Sequence, residues 1–127
     1  MRSTLRSSER TLKHMTTPEK AKGSQWERDI ANYLVEAGFI YAERRYGAGN
    51  TQDKGDINGM PGLVIEAKNH KTMNLPGWLA EAEVERANAK AEYGVVVIKR
   101  RGKPAAQGYV VMTLADFAKL WRERDDI

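Results

Sequence analysis

Residues 55–68 read Gly-Asp-Ile-Asn-Gly-Met-Pro-Gly-Leu-Val-Ile-Glu-Ala-Lys, and the punctuation of this stretch decides the fold. Asn58-Gly59-Met60-Pro61-Gly62 is dense in turn formers. Leu63 to Lys68 is an apolar run with β-branched residues at its centre, which predicts a strand. Two arms joined by such a turn predict a β-hairpin folded about Pro61. Side chains alternate faces along a strand, so Val64, Glu66 and Lys68 share one face and Leu63, Ile65 and Ala67 the other. In that hairpin position 56 falls opposite position 66 as a cross-strand pair, and a slip of a residue or two still leaves Asp56 near Glu66.

Upstream, Ser24 and Glu27 stand at S-x-x-E spacing, which predicts a capping box opening a helix. Trp26, Ile30, Tyr33, Leu34 and Ala37 recur at helical spacing, and Gly38 closes the helix. A separate turn is expected at Thr17-Pro18-Glu19. Phe39 to Tyr46 is aromatic-rich and predicts a strand. Residues 47–55, with three glycines, predict a flexible loop near the site. Residues 1–15 predict a basic flexible arm, and residues 16–127 a single domain.

Downstream, residues 76–92 predict a helix with an apolar stripe of Ala80, Val84, Ala87 and Ala91, closed by Gly94. Val95 to Lys99 predicts a buried strand. Arg100 to Pro104 is a basic turn and Tyr109 to Met112 another strand. Thr113 opens a last helix with Asp116 at capping spacing and Leu114, Phe117 and Trp121 on one face. Trp78 and Trp121 are expected in the core. The order α-β-β-β-α-β-β-α predicts an α/β fold, a central mixed sheet flanked by helices.

Composition sets the outer bounds. The chain has 127 residues, 41% hydrophobic and 30% charged, enough for one modest core. It lacks cysteine, which excludes disulfides and cysteine nucleophiles. No stretch approaches a membrane span. No apolar signal core opens the chain, so an intracellular, cytoplasmic location without secretion is the expectation. Lys and Arg number 21 against 17 Asp and Glu, a net +4 that favours polyanionic partners.

The chemistry concentrates around residue 66. Two carboxylates as close as Asp56 and Glu66 repel unless a proton or cation lies between them. A hard divalent cation with oxygen ligands, such as Mg²⁺ with Mn²⁺ as substitute, is the simplest resolution. Glu27 adds a third carboxylate pointing toward the sheet, although a capping-box glutamate needs no chemical role. Asp56 can equally serve a turn, and Glu66 and Lys68 can be an ordinary strand pair. The joint occurrence of all four carries the argument.

Lys22-Gly23-Ser24-Gln25-Trp26-Glu27, Gly55-Asp56-Ile57 and Val64-Ile65-Glu66-Ala67-Lys68, within residues 20–121, resemble the signature of the PD-(D/E)xK nuclease superfamily. Within it they are most similar to the small Holliday-junction resolvases of archaea and some phages. Gly55 stands where the signature carries proline. The resemblance implies a restriction-endonuclease-like αβββαβ core and Mg²⁺-dependent hydrolysis of DNA phosphodiester bonds. By it, Asp56 and Glu66 ligate the metal with the Ala67 carbonyl. Glu27 holds a metal-bound water or joins a second metal site, and Lys68 orients or deprotonates the attacking water. It further implies a branched or four-way DNA substrate, a role in recombination and repair, and a homodimer, because paired incision needs two sites. Candidate DNA contacts are Lys22, Asn69, His70, Lys71, Lys99, Arg100 and Arg101, although a solvated basic turn has the same composition. A sequence-specific or nicking endonuclease of the same superfamily is the alternative. A non-catalytic nucleic-acid-binding domain is disfavoured, since a pure binder has no reason to set acids against phosphates.

Overall fold

The computed structural model describes residues 17–46 and 53–124. The expected basic arm, residues 1–15, and most of the glycine-rich loop lie outside the described residues.

Helix α1 spans Pro18–Glu36. It starts at Thr17, whose hydroxyl accepts from the Lys20 N–H at 3.1 Å, with Pro18 in the first turn. The expected start at Ser24 is therefore corrected: the turn at 17–19 and the helix are one element. Thr followed by Pro is a strong start signal, and a single interior Gly23 costs only about 1 kcal/mol. Ser24 and Glu27 are thus interior and form no capping box. The helix ends as expected at Gly38, with φ 112°. The Gly38 N–H donates to the Val35 carbonyl at 3.0 Å and the Phe39 N–H to Leu34 at 2.9 Å, which satisfies the last carbonyls.

The strand expected over 39–46 shrinks to β1, Glu43–Arg44. A turn closed by the Ala42 N–H on the Phe39 carbonyl at 3.0 Å occupies the preceding residues and leaves Ile40 and Tyr41 exposed. Strand β2, Ile57–Asn58, pairs antiparallel with β1 in a small two-stranded sheet. Gly59, with φ 86°, lies so close to the Tyr41 carbonyl that any Cβ there would collide with it.

Strand β3, Leu63–Lys68, lies parallel to β4, Tyr93–Ile98, which in turn pairs antiparallel with β5, Tyr109–Val111. β2 pairs with β1, and Asp56 just before it donates its N–H to the Ile65 carbonyl of β3 at 2.8 Å. Asp56 is bonded to Ile65 and Ala67, on either side of Glu66, within the slip of a residue or two that the hairpin reading allowed.

Helix α2, Leu75–Ala89, crosses from β3 to β4. The Asn74 side chain caps its start by accepting from the Gly77 N–H, and Lys90 ends it in the left-handed conformation at φ 55°. Gly94 is not its cap. It sits in β4, where a Cβ would come 2.7 Å from the Ala82 carbonyl oxygen, so glycine lets strand and helix close together. The buried stripe is Trp78, Ala82 and Glu85. The expected stripe of Ala80, Val84, Ala87 and Ala91 is corrected: Val84 is 60% exposed. Burying one tryptophan outweighs burying several alanines, and Trp78 sets which face turns inward.

Helix α3, Leu114–Arg124, is capped by the Thr113 hydroxyl, which accepts from the Asp116 N–H at 3.1 Å. Among the described residues none in α3 is buried. Trp121, expected in the core, is 53% exposed and stacks on Phe117 with ring centroids 5.8 Å apart. The reason is an incompletely filled layer. An open apolar trench of about 760 Å³, lined by Ile30, Leu34, Leu63, Val95, Phe117 and Leu120 among others, separates α1 from α3.

The three-stranded sheet divides the core in two. Trp26, Ile30, Ala31, Ala42, Ile57, Ile65, Val95 and Val97 pack on the α1 side, and Trp78, Ala82, Val96 and Ile98 on the α2 side. All six residues of β4 are buried, as its continuous apolar run requires. The Trp26 indole N–H donates to the Val97 carbonyl at 3.1 Å, pinning α1 to the sheet. Among the described residues no helix is long and apolar enough to cross a membrane.

Candidate active site

The site is built on β3. Alternation places Glu66 and Lys68 on the face covered by α2, and Glu66 is only 6% exposed. Asp56 is tied to the other side of the same stretch. Its N–H donates to Ile65 and its Oδ2 accepts from the Ala67 N–H at 2.7 Å. These two bonds straddle residue 66 and bring the Asp56 carboxyl near enough to Glu66 to act on its titration. Burial, then the neighbouring Asp56 carboxyl, push Glu66 up to about 10.

The approach to Asp56 explains Gly55. Its φ is 94°, its N–H donates to Asp53 Oδ1 at 2.9 Å, and a Cβ would come within 2.8 Å of Val64 Cγ1. Proline can neither adopt that φ nor donate that hydrogen bond. Glycine at this position is thus a property of how the loop enters the site.

Lys68 Nζ lies 3.3 Å from Glu66 Oε2 and 3.3 Å from both Glu81 carboxylate oxygens, over the Trp78 ring. Burial pulls Lys68 down, but the Glu66 and Glu81 charges outweigh it and hold the ammonium above its ordinary value. Lys68 is thus anchored between the Glu66 and Glu81 carboxyl groups.

Glu27 reaches the same locus from α1. Its side chain is 18% exposed and accepts from Arg44 Nε at 2.6 Å. Burial and the Asp56 charge raise it, against the lowering effect of Arg44. Arg44 also donates to Ser24 Oγ at 2.9 Å. Glu27, Asp56, Glu66 and Lys68 therefore form one continuous chain of interacting charges.

Sequence reasoning did not single out Arg44, Asp53, Glu81 or Glu85. Glu81 and Glu85 carry a usable signal: two acids four apart share a helical face. An alanine stripe drew attention away from it. Asn88 Nδ2 donates to the Asp53 carbonyl at 2.9 Å and ties the loop to α2.

The candidate DNA contacts divide. Asn69, His70 and Lys71 leave the C-terminal end of β3, and Lys99, Arg100 and Arg101 that of β4. The two strands are parallel, with Lys68 opposite Ile98 and the Lys99 N–H donating to the Lys68 carbonyl at 3.0 Å, so both runs emerge together beside Lys68. The carboxyl ends of parallel strands are where α/β sheets receive ligands. Within these runs His70 packs 5.3 Å from the Trp78 ring, Lys99 over Trp26 and Arg100 over Tyr109. Lys22 is exposed on α1.

Asp56 and Glu66 are hard oxygen donors, and two acids in contact satisfy each other only by holding a proton or a cation. The donor set fits Mg²⁺ or Mn²⁺ and offers nothing to a soft metal. No protein-family model, curated protein or solved structure matches this chain.

Proposed function

We propose that the chain is a metal-dependent DNA endonuclease of the PD-(D/E)xK kind that acts on branched DNA, with a four-way junction as the preferred substrate and a homodimer as the working form. The observation that carries the reading is the tethering of Asp56 across residue 66, Oδ2 on the Ala67 N–H at 2.7 Å, with Lys68 Nζ 3.3 Å from Glu66. It supports the roles drawn from the resemblance: two acids and a lysine fixed at one strand end, under two basic runs suited to a phosphate backbone.

In this reading Asp56, Glu66 and the Ala67 carbonyl hold a divalent cation, which when bound acidifies a water and neutralises charge on the phosphate. Lys68 keeps its proton and presents it to a phosphate oxygen or to the nucleophilic water, held in place by Glu66 and Glu81. Glu27, oriented by Arg44, accepts a hydrogen bond from water on the α1 side. Asn69, His70, Lys71, Lys99, Arg100 and Arg101 grip the backbone next to the scissile bond.

The test incubates the full chain with Mg²⁺ and labelled four-way, flap, nicked and linear duplexes, then maps the cuts. Cleavage of the four-way junction, lost in EDTA, is expected. Cleavage undiminished in EDTA, or none on any substrate, overturns the reading. Light scattering should give twice the 14.3 kDa monomer mass; a strict monomer free and on the junction favours a nicking enzyme instead.

A further inference from the structure

We infer that Glu66, Glu81 and Glu85 form a second position for a hard divalent cation, on the α2 side of β3 and apart from the Asp56–Ala67 side. It rests on the phosphodiesterase reading above only in sharing Glu66. One carboxylate oxygen from each of the three lies within 4.8 Å of the others. Oxygens around an octahedral Mg²⁺ sit about 3–4 Å apart, so a small side-chain adjustment closes the triad on one ion.

The independent sign of a ligand is Glu85. It is 2% exposed, and its Oε1 has no hydrogen-bond partner among the described residues. Buried acceptors are almost always satisfied, and an uncompensated one costs free energy. Lys68 reaches Glu66 and Glu81, but no lysine or arginine among the described residues pairs with Glu85. One ammonium thus faces three carboxyl groups, and the Asp53 carboxyl lies beside Glu85. The i, i+4 spacing of Glu81 and Glu85 aims both from α2 at the strand. The helix spends a core position, between Ala82 and the buried sheet, on an acid where an apolar residue would pack at less cost. A divalent cation accounts for the orphaned oxygen, the crowding of acids and the choice of residue together.

The test titrates Mn²⁺ into the metal-free full chain without DNA and counts bound ions by electron paramagnetic resonance. Wild type should bind two Mn²⁺. Glu85→Gln and Glu81→Gln should each lose one, with at least a tenfold weaker dissociation constant for it, and Asp56→Asn should lose the other. Glu81 is half exposed, so Glu81→Gln keeps the question open to measurement if Glu85→Gln does not fold. A single Mn²⁺ that vanishes in Asp56→Asn and persists in both glutamine variants overturns the second position and leaves the nuclease reading standing. Two-ion binding by a chain that cuts no DNA does the reverse. No Mn²⁺ bound by wild type overturns the position and makes Glu85 a protonated core acid.

Discussion

Ile65 and Glu66 are neighbours on β3, 3% and 6% exposed, and they face opposite ways. Ile65 joins Trp26, Ile30, Val95 and Val97 in an apolar layer closed by α1. Glu66 faces α2 beside Lys68, Glu81 and Glu85, with only a small apolar cluster around Trp78. Equal burial therefore serves opposite ends. The Ile65 face gains about 2–3 kcal/mol for each large side chain it removes from water. On the Glu66 face, burying carboxyl groups costs free energy, offset only in part by Lys68 beside Glu66 and Glu81. One face holds the fold together; the other is held in place by it.

The sharpest way to break this comparison is to exchange the losses. Glu66→Gln should keep the fold and reduce cleavage of a four-way junction by about 10³-fold or more, roughly 4 kcal/mol in the barrier. Retained wild-type rate would remove Glu66 from the site. Ile65→Ala should do the opposite, costing about 2–5 kcal/mol of stability in urea melts while the folded fraction cuts normally. Equal effects of both variants on stability and rate would erase the distinction between the faces.

Glu27 tests how far the acidic face extends onto α1. Because it is interior to the helix, Glu27→Gln removes no cap. Loss of the Arg44 pair should cost about 1 kcal/mol or less. If Glu27 orients water, the single-turnover rate should fall about tenfold, 1.4 kcal/mol in the barrier. An unchanged rate would make it only the anchor of Arg44.

A pH series reports the cost of the acidic face directly. Glu66 is raised from 4.5 to about 10 when folded, so between those values the folded chain binds more protons than the unfolded one. Its contribution is fully present below the unfolded value and is lost as pH rises through the folded one. Melting temperature in EDTA should fall by about 4 °C or more between roughly pH 6 and pH 9. Glu66→Gln should flatten that slope, and Mg²⁺ should raise Tm more at the alkaline end. A slope unchanged in the variant would assign it elsewhere.

The smallest effect is expected on the outer face of α2. Val84→Ser should change stability by no more than about 0.5 kcal/mol, because the side chain is 60% exposed. A larger loss in the isolated chain would return Val84 to a packing role.

Local signals were legible where one short-range cause acted alone. Leu63 to Lys68 and Val95 to Ile98 are strands because apolar β-branched runs need two covered faces, and Gly38 and Thr113 bound their helices because each satisfies backbone groups within a few residues. The α/β order follows from those same signals. Alternation along β3 also placed Glu66 and Lys68 together on one face. Other features depended on partners far along the chain. Thr17 with Pro18 outcompeted Ser24 as the helix start, which turned Ser24 and Glu27 toward Arg44. β1 engaged β2, and Asp56 bonded Ile65 and Ala67 on either side of Glu66. Trp78 chose the inward face of α2, and that rotation delivered Glu81 and Glu85 to Glu66. The sequence by itself thus determined which strand carries the acids, through a two-residue period that no tertiary contact alters. Only the tertiary structure decided which other acids meet them, because rotating a helix about its axis to bury one tryptophan relocates every other side chain on it.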